Sequence, residues 1–214
     1  MNADVKKPVK LLGIRNITVS GRIGTGKSTL AVHLAQVLGW NILDGGKIFR
    51  KLANQLGIHI SEKNKIPDKL DIEFEEKVKQ ILINENNYVV QSHLAGFVAQ
   101  DIKGVYKILI VCEDEEGKDK RSVRIDRLVN RDFISAGQAK EEVAKREEEH
   151  LEKFKKLYVK DDPNWVYWDE KYYDLVVNTF NLNQKEAVEF TLSHIGFNDK
   201  SKVNLVFENL KKDV

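Results

Sequence analysis

Cysteine is nearly absent: Cys112 is the single one among 214 residues. No intrachain disulfide can form, and a cysteine-based zinc site is excluded. Proline is also scarce. Pro8, Pro67 and Pro163 stand alone, so no Pro-rich linker marks a boundary between modules. No repeat of 20–50 residues is visible. Long apolar runs are missing. The stretch Ile108–Cys112 falls far short of the ~20 residues a membrane-spanning helix needs. The opening MNADVKKPVK has no apolar h-region, so no secretory leader is expected and the cytoplasm is the expected compartment. A charge excess of one sign is missing too. The 35 Lys+Arg nearly balance the 33 Asp+Glu, for a net +2. That balance speaks against a nucleic-acid surface, so neither nucleic acid nor membrane is expected as a partner.

What remains is a soluble globular composition, 42% hydrophobic and 32% charged. A chain of this length buries about 70% of its unfolded surface, enough for one large core. The expectation is a single domain over residues 1–214 and a monomer. Apolar periodicity alternates between short strand-like runs and helical faces. Ile17–Ser20, Trp40–Leu43, Tyr88–Gln91, Tyr106–Cys112 and Leu175–Asn178 read as five strands. Ser28–Leu38, Gly46–Leu56, Pro67–Asn86, Ser122–Arg131, Ala136–Tyr158 and Asn183–Gly196 read as helices between and after them. Strands separated by helices imply βαβ units, hence an α/β fold with a parallel sheet covered on both faces. The tail Phe197–Val214 is expected to dock as a terminal element.

The strongest local signal is Gly21-Arg22-Ile23-Gly24-Thr25-Gly26-Lys27-Ser28, followed by Thr29. It fits G-x-x-x-x-G-K-S/T, placed after a strand and before a helix. Glycines let the backbone curl so that successive N–H groups face an anion, and the helix that follows adds its positive end. Lys27 is placed to bridge phosphates and the Ser28 hydroxyl to ligate Mg²⁺. The sequence thus predicts a nucleoside triphosphate site, with ATP and Mg²⁺. An N-K-x-D base reader is absent, as is a strand of four apolar residues ending in Asp-Glu, which leaves the small kinases. The second strand ends in Asp44-Gly45-Gly46-Lys47-Ile48-Phe49-Arg50. Carboxylates and glycines at strand C-termini sit where open α/β sheets bind ligands. Arg50 can fork onto a monophosphate. Taken alone, Asp44 reads equally as a helix N-cap and Arg50 as a surface arginine.

Together these segments resemble the cytidylate kinases of the short archaeal type. Ser20–Thr29, Asp44–Arg50, Gln91-Ser92-His93-Leu94-Ala95-Gly96, Val123–Asp132, Arg146–Phe154 and Tyr173–Thr179 follow that family's motifs in order over about residues 15–196. The resemblance implies a three-layer P-loop kinase fold with a five-stranded parallel sheet of order 2-3-1-4-5. It implies a monophosphate-binding segment at 45–88, a lid at 131–160, and transfer of the ATP γ-phosphoryl group to CMP or dCMP. By resemblance Asp44, Gly45, Arg50, Ser92, His93, Arg146 and Lys153 hold the acceptor. Lys27, Arg127 and Arg131 serve the transferring group.

Arg124, Arg127 and Arg131 recur at helical spacing, which suits charge stabilisation and equally suits a solvated face paired with Asp126 and Asp132. Departures from the family concentrate at the acceptor. His93 stands for Arg, His150 for an acid and Lys153 for Arg, and base specificity hangs on them. Segments 113–121 and 161–171 are extra, the latter bringing Trp165, Tyr167 and Trp168. These aromatics are expected to pack the lid's return against the core. The alternatives are a kinase for UMP, AMP or another small metabolite, and a non-catalytic nucleotide-binding module.

Overall fold

The computed structural model describes residues 7–58, 65–132, 134–160 and 162–212, with side chains except at 131, 132, 142 and 210–212. Five strands form one parallel sheet: β1 (Asn16–Gly21), β2 (Asn41–Asp44), β3 (Tyr88–Gln91), β4 (Val105–Val111) and β5 (Leu175–Asn178). Their spatial order is β2-β3-β1-β4-β5. Strand β1 is buried along its whole length and pairs with β3 from Asn16↔Tyr88 and with β4 from Asn16↔Val105. The chain therefore leaves β1 in opposite directions across the sheet. That reversal opens a crevice at the strands' C-terminal ends, the ligand position of such sheets.

Alternation along β1 divides the core. Ile17 and Val19 face α1 (Lys27–Leu38), α7 (Gln184–His194) and α8 (Lys200–Lys212), where Leu34, Leu38, Val188 and Val203 complete one apolar layer. The opposite layer joins Val90 and Val105 to α3 (Asp68–Asn84) and α4 (Ala95–Val98) through Phe74, Val78 and Leu82. The expected tail is thus a docked helix. The Asn16 side chain ties the layers' edges: it donates to the Leu82 and Glu85 carbonyls at 3.2 and 2.8 Å and accepts from the Tyr88 N–H at 3.0 Å. It thereby closes the end of α3 onto β3.

Two further helices lie over the strand ends, α5 (Arg121–Asp132) and α6 (Ala136–Tyr158). A capping box at Ser135 and Gln138 starts α6, satisfying N–H groups the helix end would otherwise leave open. Ile23 of the phosphate loop packs with Leu128, Ala139 and Val143, so both helices rest on that loop. The extra aromatics pack inward as expected, with Trp165 and Tyr167 buried against Leu94 and Phe154. Among the described residues no helix is long and apolar enough to cross a membrane.

Candidate active site

The loop after β1 is shaped by three glycines at positive φ, of which Gly24 shows the need most clearly. Its φ is 76°, and a Cβ there would lie 2.5 Å from the Arg124 carbonyl oxygen. A side chain would push α5 off the loop. Gly26, at φ 97°, turns the chain into α1. The Thr25 hydroxyl donates to the Arg22 carbonyl at 2.9 Å, and the buried Lys27 ammonium donates to the same oxygen at 3.3 Å. The loop thus holds its curl, and its lysine is folded over it.

Two cavities meet at this loop. One is bounded by Thr29, Leu30, Arg127, Thr179 and Asn183, and the other by Gly45, Arg50, Ser92, His93, Arg146 and Phe154. Gly24, Lys27 and Ser28 line both. The second cavity gathers most of the acceptor residues picked from the motifs: Gly45, Arg50, Ser92, His93 and Arg146. Gly45 is required there by space, since a Cβ would lie 2.9 Å from the Phe74 ring and 3.0 Å from the Gln91 carbonyl oxygen. Buried oxygens line this wall, Gln91 Oε1 and Ser92 Oγ, with no hydrogen-bond partner among the described residues. Phe49 and Gln91, both inside motif segments, also line it, as does Glu75 of α3, which no motif announced.

The altered positions 93 and 150 prove to be neighbours. The two imidazoles meet edge to face with centroids 4.7 Å apart. His93 Nδ1 lies 3.0 Å from the Gly21 carbonyl oxygen. A carbonyl only accepts, so Nδ1 carries the proton and Nε2 is left with its lone pair. Burial, followed by the charges of Lys27, His150 and Arg146, holds the His93 pKa well below the ordinary histidine value. His93 is therefore neutral at pH 7, and Lys27, Arg50 and Arg146 bring cations to the cavity.

Other expected residues are placed differently. The Asp44 carboxylate caps α2 (Gly45–Gln55), accepting from the Lys47 N–H at 3.0 Å, which is the local reading of that residue. Lys153 is not part of the cavity lining and pairs with Asp71 at 2.7 Å and Asp68 at 3.4 Å, fastening α6 to α3. Arg127 lines the first cavity, donating to the Thr179 carbonyl at 2.7 Å and the Thr25 carbonyl at 3.2 Å. The Arg131 side chain lies outside the described residues. Arg124, on the same helix face as Arg127, is wholly buried in an ion cluster. It donates to Asp119 at 2.8 and 2.9 Å, to the Ile23 carbonyl at 2.6 Å, and to Glu147. Arg22 joins the cluster, with bonds of 2.8 and 3.2 Å to Glu147.

The arrangement is a phosphate loop whose lysine separates two cavities, one of them ringed by cations. An AAA domain family model matches residues 17–148. A cytidylate kinase of Saccharolobus islandicus is 30% identical over 182 residues, covering 84% of this chain and 89% of the relative. A cytidylate kinase of Ignicoccus hospitalis is 34% identical over 176 residues, covering 81% and 94%. Among solved structures, an uncharacterized protein from Eubacterium ventriosum superposes with a TM-score of 0.60 at 14% identity, covering 85% of this chain and 98% of that one. That likeness speaks for the fold. With these sequence relatives 30% and 34% identical over more than four fifths of its length, the chain belongs to the cytidylate kinase family.

Proposed function

We propose that this chain is an ATP-dependent nucleoside monophosphate kinase acting on CMP and dCMP. One observation carries the reading: Gly24, Lys27 and Ser28 form a wall common to both cavities. A donor triphosphate on the loop and an acceptor monophosphate on Arg50 and Arg146 would then meet at Lys27. An acceptor phosphate oxygen bonds to the γ-phosphorus as the bond from that phosphorus to the bridging oxygen breaks, and ADP leaves. The acceptor oxygen is already anionic near neutral pH, so no general base is required. The chain's task is orientation and charge stabilisation. Lys27 and the loop N–H groups hold the transferring group. Arg127, and Arg131 by family pattern, complete the cationic lining. The acceptor is held by segment 45–88 and covered by the lid at 131–160. Mg²⁺, when bound, offsets triphosphate charge, and Ser28 is the residue that would hold it. The hydroxyl's place on the common wall fits that role.

Glu75 is proposed to read the base. The family places an acid at 150, where this chain has histidine, yet the buried Glu75 carboxylate faces the same cavity from α3. A carboxylate accepts from the exocyclic amine of cytosine and disfavours the oxygen of uracil at that place. The test is ADP formation from ATP and Mg²⁺ with CMP, dCMP, UMP, AMP or GMP, beside a control without acceptor. CMP and dCMP are expected to lead. Turnover led by UMP or AMP would show that the changes at 93, 150 and 153 re-aim the site. ATP binding without transfer would favour a non-catalytic module. In Glu75→Gln the preference for CMP over UMP is expected to fall about tenfold, the scale of one charge-assisted hydrogen bond.

A further inference from the structure

Arg22 occupies an unspecified position of the phosphate-loop pattern, yet its side chain is met by three separate segments. Glu147 of α6 takes Nε and Nη2. Asp119, from the extra segment 113–121, lies 3.2 Å from Nη1. Trp168, from the extra segment 161–171, lies under the guanidinium at 4.8 Å. Each extra segment is itself built to hold its contact. Asp114 accepts from the Glu116 and Lys118 N–H groups at 3.0 and 2.9 Å and from the Lys120 ammonium at 2.7 Å. That turn brings Asp119 back opposite Glu113. Trp168 stands edge to face with the buried Tyr167 at 4.6 Å. The two departures from the family's length therefore converge on one loop arginine.

We infer that Arg22 is a positioning residue for phosphoryl transfer: through Glu147 it fixes the rotation of α6, and segments 113–121 and 161–171 hold Arg22 in place. The physical link is helix geometry. Arg146 and His150 are four residues apart on one face of α6, and both line the acceptor cavity. Glu147 projects about 100° around the axis from Arg146. A clamp on Glu147 thus sets the angle at which Arg146 enters the cavity. Arg124 grips the same carboxylate from within the buried cluster. Arg22, partly exposed at 23%, extends that grip outward to the two extra segments.

This rests on the kinase reading. The test measures KM for CMP and for ATP separately in the full chain, as wild type and as Arg22→Met, Arg22→Lys, Asp119→Asn and Trp168→Leu. Thermal unfolding controls for folding. Arg22→Met is expected to raise KM for CMP roughly tenfold with KM for ATP within about twofold, the loss of one charged contact. Arg22→Lys keeps the charge without the fork and should fall between. Asp119→Asn and Trp168→Leu should each raise KM for CMP a few-fold, although neither residue lines the cavity; they carry the test if Arg22→Met does not fold. A rise in KM for ATP in its place would make Arg22 a donor-binding residue and overturn the inference. So would unchanged constants in all four variants. A wild type that phosphorylates no monophosphate would sink the kinase reading itself, and this inference with it.

Discussion

Replacing Lys27 with alanine is expected to lower turnover by about 100-fold or more and leave the fold intact. The ammonium lies at the wall common to both cavities, 3.3 Å from the Arg22 carbonyl. There it would meet charge that develops on the transferring group. Removing one preorganised donor from such a site typically costs 10²–10³ in rate, about 2.7–4 kcal/mol. The fold should persist because Lys27 belongs to no apolar layer and opens α1 at an end already turned by Gly26. Initial rates with ATP and CMP, beside circular dichroism, check both halves. A second readout follows from electrostatics. After burial, Lys27 is the leading cause that depresses the His93 pKa, so the variant's His93 should titrate at higher pH in an imidazole NMR titration. Full activity in the variant would remove Lys27 from the chemistry.

The phosphate loop was legible because its chemistry is contiguous: eight residues carry the turn, the cation and the hydroxyl. The sheet was legible because parallel strands buried on both faces read as short apolar runs. β3 and β5 have the expected limits, and each end of the other three differs by one residue. The four-residue α4 was not expected, since one turn leaves no periodicity to detect. The acceptor cavity was legible only where a motif carried it. Glu75 lies on α3 among Asp71, Glu73 and Glu76, a stretch that reads as a solvated face, and only tertiary packing turns it inward. Asp44 and Lys153 have the residue types a ligand site uses, but other partners take them up: the nearby Lys47 N–H for one, Asp71 of a distant helix for the other. Helical spacing placed Arg124 beside Arg127. Its partners lie 5 residues before it and 23 after, beyond the reach of any helical pairing rule. Trp165 and Tyr167 of the extra segment pack inward, as bulky aromatics near a core are expected to do.

The largest stability effect is expected at that cluster, in Glu147→Ala. The carboxylate is 6% exposed and faces Arg124, which is wholly buried, with Arg22 on its other side. Alanine would leave a buried guanidinium short of its strongest partner, a change that costs about 3–5 kcal/mol when a buried pair is broken from one side. For a chain of this size that corresponds to a fall in Tm of roughly 6–20 °C, at ~2–4 °C per kcal/mol. Adding Arg124→Met should recover part of the loss, because the expense lies in the uncompensated charge rather than in the volume. Equal Tm values for single and double variants would place the effect in packing. The pH dependence supplies an independent sign. Burial alone would raise the Glu147 pKa, but hydrogen bonds from Arg124 and Arg22 outweigh it and hold the group below its ordinary value of 4.5. A depressed carboxyl binds its proton more weakly folded than unfolded, so its contribution is fully present above about pH 4.5 and is lost as pH falls through the folded value. Urea unfolding of the wild type should therefore show stability declining below that point, and the share due to Glu147 should vanish in Glu147→Ala. A decline identical in both proteins would mean that other carboxylates carry the acid sensitivity.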